Sequence, residues 1–455
     1  MTQSYFFCGI GGSGMLPLAT IVRAQGHRVS GSDRSLDQGR TGDKFDWLAA
    51  QDIGLFAQDG SGLASPDQIV IASAAVEATV PDIVRATELG CPRLTRAELL
   101  ARLFNAAPQS IAIAGTSGKS TVTGMAGWIF HALGRDPTVM NGAVMKNFVS
   151  PDTPFASALV GRGNTFISEV DESDGSIALF DPAIAVLNNI ALDHKTMEEL
   201  RQLFGDYVHR AGRAVLNADS AEVMALAPPG ALTYSLAGAI ADLAGGGIIE
   251  AEGGVAFAVN GVPVRLQVPG KHNAANAMAA LGAAVAAGLD LRDAADALSG
   301  FLGLKRRLEL VGEATGVRVY DDFGHNPDKV AATLDALSAF PGRLLIFFQP
   351  HGYGPLKQMG GELAAAFAAR LAAPHKLVVC DPVYFGGTVE KARGGAWLAE
   401  AVRNEGGDAA FLATRDQCGD WLVNEARTGD RIVVMGARDD TLSSFAASIL
   451  ARLDG

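Results

Sequence analysis

Residues 111–121 read IAIAGTSGKST. An apolar run ends at Gly115, and beyond Lys119, Ser120 and Thr121 apolar residues recur at helical spacing at Met125, Ile129 and Leu133. The pattern predicts a strand, a glycine loop and a helix N-terminus. Such a loop lets backbone N–H groups close round phosphate oxygens, and the helix end adds a partial positive charge. Lys119 suits neutralisation of the β/γ-phosphates, and the Ser120 hydroxyl suits Mg2+. Gly115 stands three residues before Gly118, whereas the common phosphate loop has its first glycine at the position held here by Ile113. The bland alternative is an ordinary glycine turn. The flanking strand and helix favour phosphate binding by Gly115, Thr116, Ser117, Gly118, Lys119, Ser120 and Thr121.

Working outward, 455 residues are too many for one core, so two to four domains are expected. Hydrophobic residues at 48% and charged residues at 19% mark a globular chain and not a disordered one. The net charge is −12 and no basic stripe appears, which argues against nucleic acid and anionic membrane surfaces as partners. Cys8, Cys91, Cys380 and Cys418 are far apart and lack metal-ligand spacing, as expected of reduced thiols in a cytoplasmic protein. The uncharged stretch 5–22 contains five Gly or Pro among eighteen residues and no preceding Lys or Arg, so it reads as neither a signal nor a membrane segment.

The N-terminal YFFCGIGGSGM predicts a strand, the loop Gly9-x-Gly11-x-x-Gly14 and a helix, and a second strand ends at Asp33. This is a dinucleotide-type fingerprint, with the acidic residue placed for a ribose hydroxyl, and a UDP-sugar satisfies it as well as NAD does. The α/β alternation continues to about Phe104, where NAAPQ breaks it. Past the phosphate loop, a buried strand delivers Glu169, Asp171, Glu172 and Asp174, and another ends at Asn188, Asn189, Asp193 and His194. Carboxylates at strand ends beside a phosphate loop are what Mg2+ requires, although any single acidic loop residue is equally well explained as solvated. Residues 237–264 read as a small β excursion. His272, Asn273 and Asn276 then open an Ala-rich helix, where Asn can present donor and acceptor to an adenine edge or simply cap the helix. After a break at 301–307, five further strands alternate with helices and predict a third parallel sheet, with the loop DDFGHNPDK at the carboxyl end of its first strand. Asn326-Pro327 can alternatively serve only to start a helix.

The ordered set GIGGSGM, GSD, VIASAAV, AGTSGKST, SEVDESDGS, NNIALDH, GKHNAANAMAA, GLKRRLELVG, YDDFGHNPDK, FQPHGY and VMGARD resembles the Mur ligases of peptidoglycan assembly over nearly the whole chain. Among these it is most similar to the branches that add L-alanine or a recycled murein tripeptide to UDP-N-acetylmuramate. The resemblance implies an α/β fold of three domains: a Rossmann-like UDP-sugar domain (1–104), a central P-loop ATPase-like domain (105–302) and a C-terminal Rossmann-like domain (303–455) that closes over the nucleotide. It implies a cytoplasmic, ATP- and Mg2+-dependent ligase, monomeric or homodimeric, that activates a carboxylate as an acyl phosphate for attack by an amino acid or peptide amine. Carried onto this sequence, Lys119 would hold the transferring phosphate, and Ser120, Glu169 and His194 would ligate Mg2+. His272, Asn273 and Asn276 would meet adenine, and Arg307 and Asp322 would close on the nucleotide. Gly11, Gly12, Ser13, Gly14, Met15, Asp33, Ser73, His325, Asn326 and His351 would line the substrate sites.

The chain also departs from the alanine-adding branch. GTSGKST replaces GTHGKTT, His325-Asn326 replaces two histidines, and FQPHGYGPL replaces FQPHRYSRT, with Gly352 at the first Arg and Pro355 near the second. Losing those guanidinium groups removes bidentate carboxylate partners, so the amine is left open, as is a non-murein acceptor. The rival readings are an inactive pseudo-ligase and an NAD-dependent dehydrogenase. The first conflicts with the intact Lys119, Ser120, Glu169 and His194. The second leaves the phosphate loop unexplained.

Overall fold

The computed structural model describes residues 2–73, 76–191, 195–383, 391, 393–437 and 439–454. Among them are three sheets of five, ten and six strands. The first contains β1 (Ser4–Cys8), β2 (Arg28–Ser32), β3 (Gly54–Phe56), β4 (Gln68–Ala72) and β5 (Arg93–Thr95) in the order β3-β2-β1-β4-β5, all parallel. The strand order reverses at β1, so the loop 9–14 leaves at a topological switch point, where open α/β sheets bind ligands.

The central sheet is built from β6 (Gln109–Ala114), β7 (Thr138–Met140), β8 (Ala158–Leu159), β9 (Thr165–Glu169), β10 (Ile184–Leu187), β11 (Arg213–Asn217), β12 (Leu232–Ser235), β13 (Leu243–Ala251), β14 (Gly254–Val259) and β15 (Val262–Leu266). Its β6, QSIAIA, is buried from Ser110 onward and lies between β9 and β10, parallel to both, which accounts for an apolar run without alternation. The β excursion expected at 237–264 is the set β13 to β15, in which β14 and β15 pair antiparallel. One apolar core runs through both sheets. Phe104 stacks edge-on against Phe166 and Phe180, at centroid distances of 5.7 and 5.3 Å.

The third sheet holds β16 (Glu309–Ala314), β17 (Val317–Asp322), β18 (Leu344–Gln349), β19 (Lys376–Val379), β20 (Ala409–Phe411) and β21 (Arg431–Gly436), ordered β16-β17-β21-β18-β19-β20. It differs from the all-parallel expectation in its edge strand β16, which pairs antiparallel to β17 with an irregularity between Leu310 and Gly312. ELVGEA has neither a continuous apolar run nor clean alternation, so this strand is set by its partner and not by its own pattern. By compactness the chain divides into two units. One comprises 1–249, 255–267 and 273–303, and the other 250–254, 268–272 and 304–455.

Candidate functional site

In the first unit the phosphate loop leaves β6 between the ends of β9 and β10. Gly115 (φ +131°) and Gly118 (φ +87°) adopt backbone that L side chains rarely take, and the helix Lys119–Ala132 begins directly after. Lys119 Nζ donates to the carbonyl of Gly115 at 2.8 Å and to Glu172 Oε2 at 2.9 Å. Burial alone would lower the Lys119 pKa, but the carboxylates of Glu172, Asp171 and Glu169 outweigh it and raise the pKa above the ordinary lysine value. Burial would likewise raise Asp171, yet Lys119, hydrogen bonds from Ser173 and the charge of Arg96 hold it below the usual carboxylate range. Ser120 Oγ donates to Glu169 Oε2 at 2.8 Å, and Asn141 Nδ2 donates to the Ser120 carbonyl at 2.9 Å. A cation, a hydroxyl and a carboxylate thus converge on the loop, in the arrangement a polyphosphate and its counter-ion need. His194 lies outside the described residues. Among the described residues, no group of three or more His, Cys, Asp or Glu is arranged to hold a metal.

The loop is held by an amide layer that composition alone did not assign. Ser117 N donates to Asn189 Oδ1 (2.8 Å), and its carbonyl accepts from Asn188 Nδ2 (3.1 Å) and Asn189 Nδ2 (3.0 Å). Thr116 Oγ1 donates to the Ala191 carbonyl and accepts from Ala191 N. Buried Tyr234 donates to Asn188 Oδ1 at 2.7 Å, and Asn188 Nδ2 also donates to Asn276 Oδ1 at 3.3 Å. Asn276 Nδ2 reaches Asn273 Oδ1 at 3.4 Å. Asn276 therefore forms a wall of the phosphate loop, and a Cβ on Gly118 would stand 2.3 Å from its Oδ1. The Asn188-Asn189 pair at a strand end was the sequence signal for this layer. Nothing in the local sequence pointed to Asn141 or Tyr234.

The N-terminal loop turns through Gly9 (φ +83°), whose N–H, with that of Ile10, donates to the Ser32 carbonyl. Asp33 Oδ2 accepts from Gly11 N and Oδ1 from Ser35 N, both at 2.8 Å, so both oxygens of the acidic residue serve the loop and the turn after β2. Gly12 accepts from Met15 N, which opens the helix Met15–Ala24 just past Ser13 and Gly14. Ser73 follows β4.

In the second unit, residues gather at the C-terminal end of the third sheet. Asp322 Oδ2 accepts from Leu308 N and Oδ1 from Gly324 N, both at 2.7 Å, while Thr333 Oγ1 adds a bond at 3.0 Å. The Phe323 ring lies under two guanidinium groups, Arg307 at 4.7 Å and Arg306 at 5.1 Å. His325 Nδ1 lies 2.9 Å from the Phe323 carbonyl, which fixes that nitrogen as the donor, and its ring meets His351 edge-on at 4.8 Å. Burial, with Lys329, His351 and Arg307 adding to it, pushes His325 down to about 3. Asn326 caps the helix Pro327–Ser338 by accepting from Lys329 N at 2.9 Å. His272 belongs to this unit, and burial lowers its pKa against the pull of Asp322 and Glu250. After β18, Gly352 (φ +149°) caps the helix Tyr353–Ala368 with Pro355 in its first turn, so positions 352 and 355 present no guanidinium.

Three family models match consecutive parts of the chain: Mur ligase family, catalytic domain (4–107), Mur ligase middle domain (113–284) and Mur ligase, glutamate ligase domain (306–438). The UDP-N-acetylmuramate–L-alanine ligase of Streptomyces avermitilis is 34% identical over 470 residues, covering 98% of this chain and 97% of its own. The same-named enzyme of Acidithiobacillus ferrooxidans is 36% identical over 465 residues, covering 96% and 95%. Among solved structures, the UDP-N-acetylmuramate-alanine ligase of Thermotoga maritima is similar with a TM-score of 0.82 at 23% identity, covering 99% of this chain and 98% of that one. A murein peptide ligase of Psychrobacter arcticus is similar at 0.72 and 23%, covering 100% and 99%.

Proposed function

The chain belongs to the Mur ligase family, and on that premise we propose that it is an ATP-dependent ligase joining the carboxylate of a UDP-N-acetylmuramate-like substrate to the amine of an amino acid or peptide. The observation that carries this reading is Lys119, clamped between the Gly115 carbonyl and Glu172 at the end of β6. An incoming γ-phosphate offers the ammonium a stronger anionic partner than Glu172, and the loop N–H groups add to it. Lys119 then neutralises charge on the transferring phosphoryl group, a task that is mostly positioning and electrostatics. The hard oxygen donors Ser120 and Glu169 fit Mg2+, with His194 as a further ligand. When bound, Mg2+ supplies charge neutralisation and geometry at the phosphates.

The other roles follow the family. Residues 1–104 hold the sugar nucleotide through Gly11, Gly12, Ser13, Gly14, Met15, Asp33 and Ser73. Residues 105–302 hold ATP, with His272, Asn273 and Asn276 meeting adenine and Asn276 also bracing the loop. Residues 303–455, with His272, contribute Arg307 and Asp322 toward the nucleotide and His325, Asn326 and His351 toward the acceptor. The carboxylate attacks the γ-phosphorus and releases ADP, then the amine displaces phosphate to form the amide. The setting is peptidoglycan synthesis or recycling in the cytoplasm; no helix among the described residues is long and apolar enough to cross a membrane. Phosphate release from MgATP and UDP-N-acetylmuramate, scanned over L-alanine, other amino acids and murein tripeptide, tests the reading. Release that depends on one amine supports it, and no release with any of them refutes it.

A further inference from the structure

We infer that Arg306 is a positioning residue whose guanidinium, with Asp321, locks the backbone that aims Arg307; the inference rests on the reading above that Arg307 reaches the nucleotide. The chain here is strained. Arg306 (φ +60°) and Leu308 (φ +46°) both occupy the left-handed region, which non-glycine residues rarely take, and Arg307 lies between them. Two such residues within three positions persist only where the surroundings over-determine them.

Both the backbone and the side chain of Arg306 are fixed. Its N–H donates to Glu309 Oε2 at 2.9 Å, and its carbonyl accepts from Phe323 N at 2.8 Å. The side chain, 11% exposed, pairs through Nε with Asp321 Oδ1 at 3.4 Å, and Asp321 is 1% exposed. Nη2 donates to the carbonyl of Gly436 at 2.7 Å and Nη1 to that of Asp439 at 3.1 Å. Gly436 ends β21, so the guanidinium ties the turn before β16 to the ends of β17 and β21. Burial pushes the Asp321 carboxyl up, and Arg306, with a bond from Ser443, works against that rise. On the other side, Leu308 N donates to Asp322, and the Leu308 side chain is buried in the core with Tyr320 and Leu334. Arg307 is therefore held between two fixed residues, with its guanidinium over the Phe323 ring. A fork occupied by three acceptors cannot also grip a phosphate, which gives the ligand role to Arg307 and the framing role to Arg306.

A double-variant cycle in phosphate release tests this, run with MgATP, UDP-N-acetylmuramate and the productive amine on variants shown to be folded by circular dichroism. Arg307→Gln and Arg306→Gln are each expected to lower kcat/KM for ATP on the order of 100-fold. The double variant should fall no more than about twofold below Arg307→Gln, because Arg306 acts only through its neighbour. The Kd for UDP-N-acetylmuramate, measured by calorimetry, should stay unchanged, which a general loss of structure would not allow. If Arg306→Gln does not fold, Arg306→Lys takes its place in the cycle. It keeps a charge beside Asp321 but lacks the fork for two carbonyls, so about a tenfold loss is expected, with no further loss in the Arg307→Gln background. Full activity in the Arg306 variant, losses that multiply in the double variant, or a weakened UDP-N-acetylmuramate Kd would overturn the inference while leaving the role of Arg307 intact. Full activity in Arg307→Gln would remove that role and the inference together.

Discussion

Lys119→Met separates the structural from the chemical role of the phosphate-loop lysine. The Lys119–Glu172 pair spans 2.9 Å, and the two side chains are only 19% and 7% exposed. Removing one partner of a buried pair strands the other charge, at about 3–5 kcal/mol. Partial exposure of the lysine places this case near the lower end, about 3 kcal/mol. The stranded charge is the larger part of that loss, so Glu172→Gln in the same background should return about 2 kcal/mol. Turnover should not return, because the double variant still lacks the cation for the transferring phosphate. Urea unfolding of wild type, both single variants and the double variant gives the coupling energy, and phosphate release gives the activity. There is also a pH signature. Asp171 is held low despite its burial, first by Lys119, so its stabilisation is present above the unfolded value of about 3.9 and fades as pH falls through the folded one. In Lys119→Met the folded value rises, so that loss should be smaller and end at a higher pH. A double variant as unstable as Lys119→Met would refute the stranded-charge reasoning, and a turnover-competent Lys119→Met would refute the role in phosphoryl transfer.

Other perturbations have equally definite outcomes. Gly118→Ala places a Cβ at φ +87°, 2.3 Å from Asn276 Oδ1 and 2.6 Å from Asn188 Nδ2. It should cost at least about 2 kcal/mol in unfolding experiments and weaken fluorescent ATP-analogue binding. Ser120→Ala should raise the Mg2+ concentration for half-maximal phosphate release about tenfold with little change at saturation. His325 is neutral down to about 3, whereas its unfolded value is about 6.5. Its contribution to stability is therefore complete above 6.5 and is lost as pH falls from there, so His325→Gln should flatten the acid-side slope of unfolding free energy by up to one proton.

The two glycine loops were legible because each lies at a switch point where local sequence and topology agree. An apolar strand must end, glycine must supply positive φ at Gly9, Gly115 and Gly118, and a helix must begin. The acidic end of β9 was legible for the same reason. Individual partners were not. Glu172, and not a water-facing alternative, holds Lys119 because the turn after β9 brings it back to the loop, which no spacing rule encodes. Asn276 read as an adenine contact at a helix start, and its place beside Gly118 was not legible. Asn326 read as either a site residue or a helix start, and its side chain does cap the helix. The edge strand β16 and the partners Asn141 and Tyr234 depend on chain segments far apart in sequence. Gly352 was visible as a lost arginine, but only the backbone shows that φ +149° at that position disfavours any side chain.

The central claim is that the carboxylate is activated as an acyl phosphate, and the most direct measurement is the fate of its oxygens. With UDP-N-acetylmuramate labelled with 18O in the lactyl carboxylate, turnover with MgATP and the productive amine should place one labelled oxygen in the released phosphate and yield ADP. Unlabelled phosphate, or AMP and diphosphate in place of ADP, would contradict the account.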